Sequence, residues 1–161
     1  MSQDQSRRDL MRSATVVVAA VTVPGVILLV RPSELRAAPS DMQAAIHRVT
    51  GGVAPQAGRV KLEIPPLSEN GNTVAITVTV ESPMTATDYV KAIHVFNEKN
   101  PQPHVISARM GPRAGQAMLQ TRARLSDTQT IVAVAELSDG SFWTDSTHVI
   151  VTLGACLEEP T

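Results

Sequence analysis

From Val60 onward, apolar side chains fall on alternate positions in run after run. Val60, Leu62 and Ile64 share one parity, and Val74, Ile76, Val78 and Val80 repeat it against Thr73, Thr77 and Thr79. A period of two places alternate side chains on opposite faces of an extended chain, so each run predicts a half-buried strand. The same alternation marks residues 89–97, 104–110, 116–125, 128–137 and 142–153. Turn chemistry separates the runs: Pro65-Pro66, Asn70-Gly71, Asn100-Pro101, Gly111-Pro112 with Gly115, and Asp139-Gly140, the last predicting a tight hairpin. About seven strands with no helical period between them predict an all-β fold, an immunoglobulin-like antiparallel β-sandwich.

The period changes upstream of this region. Ser40 followed by Gln43 is a capping-box pair, Met42, Ile46 and Val49 recur at helical spacing, and Gly51-Gly52 ends the run. A short helix and linker are therefore predicted over residues 39–58, ahead of a sandwich over 59–161. Residues 1–38 read as a twin-arginine (Tat) signal peptide: Ser6-Arg7-Arg8-Asp9-Leu10-Met11 precedes an uncharged apolar run from Ala14 to Val30. Those 17 positions contain Thr22, Pro24 and Gly25 and lie at the short limit for a membrane span, which needs about 20 residues. Export to the periplasm is the expectation, with an N-terminal anchor as its alternative. Alanines at 37 and 38 give no clean A-x-A, so the cleavage position stays open.

Removal of that signal leaves 123 residues, enough for one domain with one core. Nine Lys and Arg stand against twelve Asp and Glu there, so the expected mature chain carries three net negative charges and no basic patch for nucleic acid. Aromatic residues are few, leaving Val, Ile, Leu, Met and Ala to fill the interior, which suits pleated surfaces. The single cysteine, Cys156, excludes an internal disulfide. In an oxidising compartment its thiol is buried and inert, paired with another molecule, or used. His47, His94, His104 and His148 are scattered and lack the spacing of a structural zinc site, and no histidine or methionine follows Cys156 as blue copper requires. There is no G-x-S-x-G elbow, P-loop or dinucleotide fingerprint, so neither catalytic residues nor a cofactor or metal is predicted. Read this far, the residues admit a carrier, a binding module or a structural subunit.

The run from Glu81 through Pro83-Met84 and Tyr89 to Lys91, then Asn100-Pro101-Gln102-Pro103, Gly111-Pro112-Arg113-Ala114-Gly115 and Val132 to Trp143, resembles SoxY over residues from about Arg59 to Cys156. SoxY is the sulfur-carrier subunit of the bacterial periplasmic thiosulfate-oxidising system. The resemblance implies an immunoglobulin-like sandwich that is not itself an enzyme and forms a heterodimer with SoxZ. It implies that Cys156, by position, attaches thiosulfate-derived sulfur covalently. A cytochrome pair that loads the thiol, a sulfohydrolase and a sulfane dehydrogenase would be transient partners. The loops Met84 to Tyr89 and Arg109 to Arg113 are candidate contacts with the partner subunit. Family carriers flank the cysteine with glycine pairs, whereas here it sits in Gly154-Ala155-Cys156-Leu157-Glu158-Glu159. Added bulk restricts the backbone, and nearby carboxylates raise a thiol's pKa and repel anionic thiosulfate. The alternative is accordingly a SoxY-like binding or assembly subunit in which the cysteine is structural or vestigial.

Overall fold

A computed structural model of the chain describes residues 39–155. The signal-peptide reading of residues 1–38, and Cys156 itself, lie outside the described residues. Helix α1 (Pro39–Thr50) opens one residue before the expected Ser40 cap, with proline in its first turn, where the missing N–H costs nothing. It closes where the glycine pair predicts. Gly51 adopts φ 62° and Gly52 N–H donates to the His47 carbonyl at 3.2 Å, a Schellman stop.

Nine strands follow: β1 (Gln56–Ala57), β2 (Val60–Glu63), β3 (Leu67–Ser68), β4 (Val74–Val80), β5 (Val90–Asn97), β6 (His104–Arg109), β7 (Met118–Ala123), β8 (Gln129–Leu137) and β9 (Phe142–Val151). Seven of them are the predicted alternating runs. The other two, β1 and β3, are two-residue segments that pair in parallel with β9, where a wholly antiparallel sandwich was expected. A two-residue strand has no period to read. The large sheet runs β1-β9-β8-β5-β6, with β3 also on β9, and the small sheet runs β2-β4-β7.

The two sheets bury the alternating residues between them. Val60 and Leu62 of β2, Ile76 and Val78 of β4, Ile93 and Val95 of β5 and Ile131 and Ala133 of β8 share one core. Asp145 of β9 also bridges the layers, its carboxylate accepting the Leu62 N–H at 2.8 Å. The opposite face of the large sheet is covered as well: Met42, Ala45 and Ile46 of α1 pack on Phe96, Val134 and Phe142. The helix is thus a third layer. This explains why β5 is buried at nearly every position rather than at alternate ones, because a strand covered on both faces has no polar side. Asp139-Gly140 makes the predicted hairpin, with Gly140 at φ 82° and Ser141 N–H donating to the Asp139 carboxylate at 2.8 Å. Among the described residues no helix is long and apolar enough to cross a membrane.

Candidate functional site

The described residues end just beyond β9, one position before Cys156. After Val151, residues 152–155 are stitched to two neighbouring loops. Thr152 N–H donates to Ser68 O at 3.1 Å, Gly71 N–H to Leu153 O at 2.8 Å and Ala155 N–H to Leu125 O at 2.9 Å. Leu125 N–H in turn donates to Gly71 O at 2.8 Å, which closes the ring of contacts. Ala155 is buried. In sequence, Cys156 is the next residue.

Two glycines are required here by closeness rather than by turn geometry. A Cβ on Gly154 would collide with the Ser126 carbonyl oxygen. One on Gly71 would collide with the Leu125 carbonyl oxygen and stand 2.9 Å from Ala155 N. Asn70-Gly71 does form the expected turn, as the Asn70 side chain accepts Asn72 N–H at 2.9 Å. Gly71, however, is there because main chain packs on main chain. Gly154, the one glycine shared with the family's flanking pairs, is part of the anchored stretch and not of a free arm.

Both collision partners belong to the loop between β7 and β8, and that loop is itself held. Asn100 donates from Nδ2 to Arg124 O at 2.7 Å, and its Oδ1 accepts Ser126 N–H at 3.1 Å, the Ser126 hydroxyl at 3.0 Å and Gln129 Nε2 at 2.9 Å. Gln129 is fully buried, and its Oε1 accepts Lys99 N–H at 2.9 Å. Lys99 Nζ pairs with Asp127 at 3.0 Å, an exposed pair of small worth. Glu98 accepts Thr130 N–H at 2.9 Å, which holds its carboxyl below the usual range.

The two loops proposed from the resemblance as partner contacts lie elsewhere. Strand β8 runs from Gln129 beside the anchored end to Leu137 beside Ser138, whose hydroxyl donates to Thr87 O and accepts Tyr89 N–H. Its nine residues span about 26 Å. Met84 to Tyr89, where Met84 is held at φ 50°, therefore stands at the opposite end of the sandwich, and so does the turn after β6 that begins at Met110.

Two of the four histidines do meet. His94 and Ser107 face each other across β5 and β6, and His94 Nδ1, Ser107 Oγ and His104 Nε2 form a chain with steps of 2.6 and 2.8 Å. The single hydroxyl proton can go to only one of the two rings, so at least one histidine donates to Ser107 Oγ. His94 is buried, its Nε2 has no hydrogen-bond partner among the described residues, and its pKa is held below the usual value, first by burial and then by His104 and Arg109. Spacing along the chain did not reveal this pair. Its signal was parity, since His94 shares a face with Ala92 and Phe96 rather than with Ile93 and Val95. Among the described residues, no group of three or more His, Cys, Asp or Glu side chains gathers to hold a metal ion.

Fold and site together define an immunoglobulin-like sandwich of two sheets and a covering helix, with a cysteine one residue beyond its last anchored position. Residues 46–156 match the family of the sulfur oxidation protein SoxY. The chain belongs to the SoxY family. The match begins within α1, earlier than the resemblance from Arg59, and its last residue is Cys156. Among solved structures, the chain is similar to the sulfur carrier protein SoxY from Chlorobium limicola f. thiosulfatophilum, at 26% identity and a TM-score of 0.60, over 71% of this chain and 98% of that one. It is also similar to superoxide reductases: that of Ignicoccus hospitalis (15% identity, TM-score 0.53, 76% of this chain and 99% of that one) and that of Nanoarchaeum equitans (13%, 0.50, 60% and 100%). At those identities the likeness is one of fold alone. No curated protein matches the sequence.

Proposed function

We propose that this protein is a covalent sulfur carrier in thiosulfate oxidation, with Cys156 as the attachment point. The observation that carries the reading is the SoxY family match over residues 46–156, which takes in the cysteine directly after the anchored Ala155. A thiolate is the group that disulfide exchange and sulfur transfer require. Joining it to a sulfane sulfur is a two-electron oxidation, so the electrons leave to the loading cytochromes that the family resemblance implies. The chain acts as substrate and vehicle for its partners and not as an enzyme. Its twin-arginine leader and expected periplasmic site belong to the same proposal.

The obligate partner is a SoxZ-like subunit. In support, among the described residues no strand covers the outer edge of β6 or of β7, and β2, the other edge of the small sheet, lies against β9 at the far side. Uncovered edges offer unpaired backbone groups to a second protein. A purified chain that stays monomeric and shows no affinity for a SoxZ homologue argues against this pairing.

A second reading, a SoxY-like assembly subunit without carrier chemistry, draws on Ala155 and Leu157 in place of flanking glycines and on Glu158 and Glu159 beside the thiol. Complementation separates the two. In a deletion strain, Cys156→Ser is expected to abolish thiosulfate oxidation while leaving the partner complex intact. Full restoration by that variant sinks the carrier reading.

A further inference from the structure

We propose that Asn100 is the positioning residue for the tail thiol. The functional meaning of this inference rests on the carrier reading above. The Asn100-Pro101 pair stands in the loop between β5 and β6, more than fifty residues from Cys156 in sequence. Its side chain nevertheless accounts for much of the hydrogen bonding that fixes the loop under the anchored end: Arg124 O, Ser126 N–H, Ser126 Oγ and Gln129 Nε2 all meet it within 2.7–3.1 Å. With two donors of fixed polarity on Oδ1 and a carbonyl on Nδ2, the amide has one orientation. The loop so held offers Leu125 O to Ala155 N–H at 2.9 Å and packs its Ser126 carbonyl on Gly154. One side chain thereby fixes the loop on which Gly154 and Ala155, the last residues before Cys156, are held. The thiol is presented from a fixed root, and enzymes that use it come to that end of the sandwich.

Asn100→Ala removes all four bonds and leaves partly buried groups without partners. The expected result in the full-length protein is hydrogen exchange at the Ala155 amide faster by about tenfold or more, while the core amides of Val95 and Val134 change only as global stability does. Alkylation of Cys156 by iodoacetamide is expected to rise in the same variant, with the pH midpoint of the reaction unmoved, because no charge is altered. A merely structural role predicts instead that all amides respond together. Ser126→Ala removes only the hydroxyl bond to Asn100 Oδ1 and adds no charge, so it gives a smaller effect of the same pattern and serves if the alanine variant at Asn100 does not fold. Unchanged Ala155 exchange and unchanged alkylation in a folded variant overturn the proposal, whatever Cys156 carries. Neither readout needs sulfur chemistry. A wild-type thiol that never takes up sulfur counts against the carrier reading alone.

Discussion

Adding a single methyl group at Gly71 tests whether the end of the chain is rooted as described. The Cβ would meet the Leu125 carbonyl oxygen, which accepts the Ala155 N–H at 2.9 Å, and would stand 2.9 Å from Ala155 N. Carbon approaches a carbonyl oxygen to about 3.3 Å, so the oxygen must retreat by roughly 1 Å. That displacement takes a 2.9 Å hydrogen bond out of range. It also loads the two bonds that Gly71 itself makes, to Leu153 O and from Leu125 N–H, both 2.8 Å. Three bonds at about 1 kcal/mol each bound the loss from above. Alanine's smaller unfolded-state entropy returns about 0.4–1 kcal/mol. The expected net cost is about 2 kcal/mol, within the range for overpacking. Gly154→Ala, which meets the Ser126 carbonyl, is expected to cost about 1–2 kcal/mol. Gly111 is the control: a Cβ there meets nothing within 4 Å and its φ of −146° suits any residue, so alanine is expected to be neutral or slightly stabilising. In urea, with m values of about 1–3 kcal/mol/M, Gly71→Ala should lower the unfolding midpoint by roughly 1 M relative to Gly111→Ala. Equal midpoints for the two variants would refute the close-packed root.

Other expectations follow from single contacts. Asp145→Ala removes the acceptor of the Leu62 N–H, the bond that joins β2 to β9, and should cost about 1–3 kcal/mol in chemical denaturation, most of it recovered in Asp145→Asn; no loss in the alanine variant contradicts the bridge. Lys99→Ala, which breaks only the exposed pair with Asp127, should cost no more than about 1 kcal/mol, and a larger loss would show that charge rather than the Asn100 amide holds the loop. Burial, His104 and Arg109 hold His94 below its usual pKa against an opposing pull from Glu136, so the unfolded chain binds the proton first on acidification. Stability is therefore full above about pH 6.5, falls as pH drops below that value, and levels off once the folded state is protonated too. His94→Phe should flatten this slope in melting curves taken across that window, and an unchanged slope assigns it to another group.

Most of the long strands were legible because buried and exposed positions alternate along them, as in β2 and β4, while Gly51-Gly52 and Asp139-Gly140 mark the end of the helix and a hairpin by backbone conformations that glycine favours. The third layer was not, because the helical pattern of Met42, Ile46 and Val49 says that a face is buried without saying on what. Once α1 lies on Phe96, Val134 and Phe142, the unbroken burial of β5 has its reason. Two-residue strands β1 and β3 are too short for any period and owe their existence to the edge of β9. At the candidate site, Cys156 was found through resemblance, whereas the residues that root it were hidden. Gly71 read as a turn glycine and Gly154 as a remnant of a flexible motif, and only the nearness of the Leu125 and Ser126 carbonyls gives their true role. Asn100 read as a turn former, yet its bonds cross to residues 24 to 29 positions away, a distance at which sequence patterns carry no signal.

The carrier claim is tested most directly by the intact mass of the protein purified from its host during growth on thiosulfate, followed by mapping of the modified residue. A thiosulfonate or persulfide adduct on Cys156, removed by reductant, is the result predicted here. A consistently unmodified thiol under those conditions contradicts it.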